Sequence, residues 1–280
     1  MENVFDTLLA NATAFRLSVF FGVLALMMGL EARFPRRARS HSRKARWPSN
    51  LGIVALNSLV ARAAFPVAAV GIAALGETNG WGLFNNIGWP FWVAAVLSVV
   101  LLDFAIYLQH ILFHAVPALW RLHRMHHADT DFDVTNGARF HPIEIVLSMA
   151  IKMAIVAALG APAIAVLIFE VLLNATAMFN HANLKLPPNL DLFLRLFVVT
   201  PDMHRVHHSA LPRETNSNFG FNLPWWDYLM GTYTAQPEAP HEAMTIGLPT
   251  FRSPRELRLD RMLTQPFRDG TPPPPDTKYE

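Results

Sequence analysis

The 280 residues include no cysteine. Disulfides, thiolate zinc sites, iron–sulfur clusters and covalently attached c-type haem are therefore excluded for this chain. Charge is scarce as well: 16% of residues are charged against 52% hydrophobic, with a mean hydropathy of +0.25. That balance is too apolar for an ordinary soluble domain and points to a membrane protein. No Gly-x-Gly-x-x-Gly follows a strand pattern, so the chain lacks that dinucleotide-binding fingerprint. No internal repeat of fixed period occurs apart from two similar histidine triplets. The formal net charge is only +2. Its basic residues gather at Arg33, Arg36, Arg37, Arg39, Arg43, Lys44 and Arg46 between two apolar stretches, as in a cytoplasmic loop rather than a nucleic-acid-binding face. Glu2 and Asp6 precede the first apolar run in place of the basic start of a cleaved signal peptide, so that run reads as a retained anchor.

About 20 apolar residues rising ~1.5 Å each cross a bilayer core. Four to five segments meet that length: Phe15 to Leu30, Leu51 to Leu75 (interrupted by Arg62 and Pro66), Trp89 to His110, Ile143 to Gly160 and Ala161 to Phe179. Gly160, Ala161 and Pro162 break the last pair into a hairpin over 143–179. The expected fold is all-α and integral to the membrane, with a histidine-rich helical cap. Residues 1–109 form the N-terminal membrane helices and basic loop, 110–233 the histidine-rich region with the membrane hairpin, and 234–280 a polar, proline-rich tail that is exposed from Pro249 through Pro272 to Pro275. Counting crossings from the basic loop places every histidine from His110 to His208 on the cytoplasmic side. Lys152 and Glu170 lie at similar depth in the hairpin, and the cost of an isolated charge in hydrocarbon predicts that they pair.

Ten of the 12 histidines fall between His110 and His208. His110 and His114 share one helical face at an i, i+4 spacing. His123, His126 and His127 form a His-x-x-His-His triplet whose offsets aim the rings in nearly one direction, and His204, His207 and His208 repeat it. His141, in Arg139-Phe140-His141-Pro142, and His181, in Asn180-His181-Ala182-Asn183, sit where apolar segments end. All ten are candidate metal ligands, with a hydrogen-bonded supporting role as the alternative for His141 and His181. His41 and His241 have no such neighbours and read as solvated. Eight to ten imidazoles exceed the roughly four to six positions around one first-row ion, so two ions are expected. Imidazole suits iron, zinc and copper alike. Neither triplet carries the glutamate of a His-Glu-x-x-His zinc hydrolase.

Together these motifs resemble the fatty acid hydroxylase and sterol desaturase superfamily of membrane proteins over roughly Asp103 to Tyr233. His110-x-x-x-His114, His123-x-x-His126-His127, Arg139-x-His141-Pro142, Asn180-His181 and His204-x-x-His207-His208 carry the likeness. So do Asn216-Ser217-Asn218-Phe219-Gly220, Trp226-Asp227 and Gly231-Thr232-Tyr233. The resemblance implies a cytoplasmic di-iron centre, with dioxygen as co-substrate and hydroxylation or desaturation of a lipid C–H bond. Zinc would replace iron readily at such ligands in a purified sample. Re-reduction then calls for an external cytochrome, ferredoxin or flavin reductase, which the basic face would help to dock. Asp103 is expected to support the site or to pair with Arg62. Asp129, Asp131, Asp133 and Asp202 are expected to orient imidazoles or to cap helices. Two other classes remain open: a non-catalytic relative that holds metal and lipid, and a membrane metal-binding or transport protein whose ligands would lie at mid-membrane.

Overall fold

A computed structural model describes residues 2–269. It is helical, with no strand among the described residues. In chain order the helices are α1 (Glu2–Ala10), α2 (Ala12–Arg33), α3 (Arg43–Ala64), α4 (Ala69–Asn79), α5 (Phe91–Ala115), α6 (Pro117–His127), α7 (Pro142–Leu159), α8 (Ala163–Asn180), α9 (Pro188–Leu194), α10 (Pro201–His207), α11 (Pro212–Thr215), α12 (Trp225–Met230) and α13 (Leu259–Thr264), with short 3-10 turns at Val134–Ala138, Pro254–Leu257 and Gln265–Phe267.

Five spans are long and apolar enough to cross a bilayer: Ala12–Arg33, Arg43–Asn79, Phe91–Ala115, Pro142–Leu159 and Ala163–Asn180. They coincide with the five apolar segments of the sequence, and Pro66 separates α3 from α4 as expected. Leu17, Phe21, Leu59, Trp92 and Val96 are exposed on their outer faces. Such surface is unfavourable in water and suited to lipid. Ala73, Leu102, Val156, Ala163, Val166 and Phe169 form the largest buried apolar cluster, from α4, α5, α7 and α8. Gly160 ends α7 with φ +63, a left-handed conformation that a side chain would oppose. Pro162 then precedes α8, so the hairpin reverses within a few residues.

The Lys152 and Glu170 side chains pair at 2.6 Å, as their depth predicted. Arg16 of α2 adds a second cation to the same carboxylate at 2.6 Å, a partner that segment-by-segment reading of the sequence could not reveal. Asp103 does not pair with Arg62. Instead it accepts from Trp226 Nε1 at 2.7 Å and from the backbone N–H groups of Asn222 and Leu223, tying α5 to the loop before α12.

Most of the basic run is consumed inside the fold rather than displayed. Arg46 is fully buried and reaches Asp129 at 2.8 and 2.9 Å, Asp133 at 2.5 Å and Asn136 at 2.8 Å. Arg36 bonds Asp202 and Glu242, and Arg37 donates to the carbonyls of His241 and Met244. Arg33, Arg39 and Lys44 remain exposed. His241 is buried against Asp202 and Gln236, and His41 is half-buried beside Asp131, so neither is simply solvated. The stretch from Pro249 to Asp269 also departs from an exposed tail. Phe251, Leu257 and Met262 are buried, and the carbonyls of Gln265 and Pro266 accept from Arg124 and Arg121 of α6. Pro272 to Pro275 lie outside the described residues.

Candidate metal centre

Helix ends bring the histidines together. α5 delivers His110 and His114 in its last turns, and Val116-Pro117 then turns the chain into α6, because proline at the first helical position restarts a helix without needing an N–H partner. α6 places His123, His126 and His127 on one buried face. α8 ends at Asn180 and hands His181 to the same layer. α10, capped by Thr200, supplies His204 and His207, with His208 immediately after it.

Nine of the ten predicted histidines converge in two adjoining groups. His110, His114, His123, His127 and His207 make one, and His126, His181, His204 and His208 the other; within each, the candidate ligand atoms all lie within 4.8 Å of one another. The groups touch, since the His127 and His208 rings stack with centroids 4.6 Å apart.

Most outward-facing ring nitrogens have a partner. His110 Nδ1 faces the Phe219 carbonyl at 2.8 Å, His207 Nδ1 the Ser217 carbonyl at 2.8 Å, and His181 Nδ1 the Ala177 carbonyl at 2.8 Å. His126 Nδ1 faces the Arg139 carbonyl at 3.3 Å, His114 Nδ1 the Asn216 side chain at 3.3 Å, and His123 Nδ1 the Glu144 carboxylate at 2.7 Å. An imidazole that donates from Nδ1 presents the Nε2 lone pair inward, the arrangement that metal-ligating histidines use.

The inner nitrogens fit a cation. His181 Nε2 lies 3.2, 3.0 and 3.2 Å from the Nε2 atoms of His126, His204 and His208. A ring nitrogen has one in-plane site, either a proton or a lone pair, and so satisfies only one such neighbour. Metal–imidazole bonds of about 2.0–2.1 Å set adjacent nitrogens roughly 3.0–3.4 Å apart around a shared ion, which accounts for the crowding. In the other group, His114 Nε2, His207 Nε2 and both His127 ring nitrogens are buried without a hydrogen-bond partner. Burial holds these rings neutral. It pushes His127, His204, His207 and His208 well below the ordinary histidine value, and likewise His126, with neighbouring imidazoles adding to the effect. His181 is lowered to about 3, again chiefly by burial.

His141 stands outside both groups. Its Nδ1 accepts from the Ile143 N–H at 3.2 Å, capping α7, and its Nε2 faces the Leu263 carbonyl at 3.2 Å. The four expected aspartates make no direct bond to any clustered histidine. Asp129 binds Arg46 and Arg139; burial would raise its carboxyl, but those two guanidiniums hold it well below the usual carboxylate range. Asp131 accepts from the Ser40 and His41 N–H groups, Asp133 caps the Val134–Ala138 turn, and Asp202 pairs with Arg36 and Arg205. The sequence reading missed Glu144, although a lone acid in the first turn of an apolar hairpin is itself a signal. It also missed the carbonyls of 217–219. Asp227 holds that loop by accepting from Phe219 N–H and Gly220 N–H at 2.8 Å each. A Cβ on Gly220 would come within 2.6 Å of the Asp227 carboxylate, so only glycine fits there.

A cavity of about 320 Å³ opens below the first group, lined by His110, His123, Glu144, Phe113, Phe140 and Phe221 together with residues of α3, α7 and α8.

Residues 95–232 match the fatty acid hydroxylase family model. Ornithine lipid hydroxylase OlsE of Rhizobium tropici is 35% identical over 150 residues, covering 53% of this chain and 44% of that protein. Alkylglycerol monooxygenase of Homo sapiens is 28% identical over 169 residues, 59% of this chain and 36% of that protein. Delta(7)-sterol-C5(6)-desaturase of Nicotiana tabacum is 25% identical over 166 residues, 55% of this chain and 56% of that protein. The chain thus spans less than two thirds of each of these relatives. No solved structure matches it. The matched region contains all nine converging histidines, and through residues 95–232 the chain belongs to the fatty acid hydroxylase family.

Proposed function

We propose that this protein is a membrane-bound, oxygen-dependent lipid oxidoreductase in which the nine converging histidines hold two metal ions, natively iron. The observation that carries the reading is the pair of adjoining imidazole groups, the first of which borders, through His110 and His123, a cavity between membrane-length helices. Relatives named as a lipid hydroxylase, a monooxygenase and a sterol desaturase support it.

His110, His114, His123, His127 and His207 would hold one ion, and His126, His181, His204 and His208 the other. Bound redox metal supplies what no side chain can, the activation of dioxygen toward an unactivated C–H bond. The chain's own residues do the rest. Phe113, Phe140 and Phe221 beside His110 and His123 exclude water and seat the lipid against the centre. Glu144 and the 217–219 carbonyls fix ring orientation. His141 acts on this reading as a helix cap that aligns the hairpin rather than as a ligand. The basic loop sets the histidine face on the cytoplasmic side. An external electron donor completes the cycle, because the chain holds no thiolate or nucleotide centre of its own.

The test is anaerobic reconstitution with ferrous iron, followed by oxygen, reductant and a lipid extract, with mass spectrometry of the products. A gain of one oxygen or a loss of two hydrogens is expected. An unchanged lipid pool with iron demonstrably loaded would overturn the reading.

A further inference from the structure

Two short helices outside the five spans bury their charges and expose their apolar side chains. In α9 and the residues that follow it, Asp191 and Arg195 are 7% and 2% exposed and pair at 2.7 Å, an i, i+4 contact turned toward the protein. Every exposed side chain from 190 to 197 is apolar: Leu190, Leu192, Phe193, Leu196 and Phe197. α12 repeats the pattern. Its one charge, Asp227, is buried against the backbone of Phe219 and Gly220, while Trp225, Tyr228, Leu229 and Met230 face outward. A helix resting on a protein in water shows the reverse order, with charge outside and apolar side chains inside. A contiguous apolar patch of this kind marks a contact with protein or membrane.

Hydrogen bonding and depth decide between those two. The carbonyls of Arg195 and Leu196, at the end of α9, accept from Tyr228 Oη at 3.0 Å and Trp225 Nε1 at 2.7 Å, which also joins the two helices into one face. The N–H groups of Leu196, Phe197, Val198 and Val199 all donate to backbone carbonyls. Helix-end carbonyls in water commonly bond solvent, whereas hydrocarbon offers none and requires internal partners. Asp103 stands midway along the 25-residue α5, about 10 Å below His110 at ~1.5 Å per residue. It accepts from Trp226 Nε1 at 2.7 Å and from the Asn222 and Leu223 N–H groups. α12 is thus tied beside the middle of a membrane-length helix, not beyond its end. Neither helix can cross a bilayer, since α9 has seven residues and α12 six.

We propose that α9 and α12 form a single in-plane face immersed in the lipid leaflet on the histidine side, covered by acyl chains rather than by a second protein. Asp227 links this face to the Phe219 backbone, whose carbonyl meets His110 Nδ1 at 2.8 Å. The immersed face therefore holds the histidine layer at the lipid boundary. The inference needs no metal and does not depend on the reaction proposed above.

The absence of cysteine lets a spin label attach only where a cysteine is introduced. Leu192→Cys and Leu229→Cys, at positions 62% and 74% exposed, are labelled with a nitroxide in the full-length protein and reconstituted into phosphatidylcholine nanodiscs. Leu59→Cys, on the outer face of α3, is the lipid reference, and Arg258→Cys, at an exposed ion pair, the aqueous one. Power-saturation EPR then compares collisions with oxygen, which concentrates in hydrocarbon, and with a water-soluble nickel chelate. Labels at positions 192 and 229 should match the label at 59, with oxygen collisions dominant and nickel collisions severalfold below those at 258. Should Leu229→Cys fail to fold, Leu192→Cys carries the comparison. Nickel accessibility equal to that at 258 would set the face in water and overturn the inference. Exclusion of both reagents would mean that protein covers the face, a second copy of the chain included, and would overturn it as well.

Discussion

His141 and His181 flank the membrane hairpin in similar sequence settings, yet the fold uses them differently. His181 Nε2 meets three other imidazoles, whereas His141 spends both ring nitrogens on backbone groups. Substitution separates the two. On the proposed assignment, His126→Ala should lower bound metal from two ions per chain toward one, while His141→Ala keeps both and costs about 1 kcal/mol through the lost helix cap. Elemental analysis with a thermal melt reads both effects; equal metal loss in the two variants would contradict the distinction. Glu144 acts through His123. Glu144→Gln retains a hydrogen-bond acceptor but loses the charge, and such outer-shell changes weaken metal binding about 10–100-fold, so a chelator competition should show a shift of that order.

At the scale of elements, the histidine layer is held from behind by ion pairs rather than by apolar packing alone. Arg46 of α3 and Arg139 meet at Asp129, directly after the α6 triplet, so three separate segments are fixed to one carboxylate. Removing one partner of a buried pair leaves an uncompensated charge. Asp129→Ala should therefore destabilise the fold by about 3–5 kcal/mol, seen as a lowered melting temperature, whereas Asp260→Ala on the exposed surface should change it little. These pairings mark the limit of what the sequence disclosed. The five membrane spans were legible because apolar length is a local property, and the histidine faces because i, i+3 and i+4 spacing is local too. Lys152 with Glu170 was legible because the turn at Gly160 fixes their relative depth. Arg16 at Glu170, Arg46 at Asp129 and the loop carbonyls at His110 and His207 were not, since each joins segments whose neighbourhood only the tertiary fold decides. The basic run illustrates the same point: its composition predicted a displayed loop, but acids and backbone carbonyls far along the chain draw Arg36, Arg37 and Arg46 inward.

For the molecule as a whole, the neutral imidazole layer makes stability depend on pH. Folding lowers the His126, His127, His204, His207 and His208 values well below 6.5, and His181 to about 3. The unfolded chain therefore binds more protons than the folded one below about pH 6.5, so stability is retained above that pH and falls as pH drops toward the folded values. The slope is up to about 1.4 kcal/mol per pH unit for each histidine. Metal-free protein should show a melting temperature that is steady between pH 7 and 8 and declines steeply toward pH 5; a flat profile would mean that the rings are not held neutral. The most direct test of the account is X-ray absorption spectroscopy with metal quantification on the iron-reconstituted protein. It should return two irons per chain, each in a nitrogen-dominated imidazole environment. One iron or fewer, or a shell made mainly of carboxylate oxygens, would contradict the assignment of the two histidine groups.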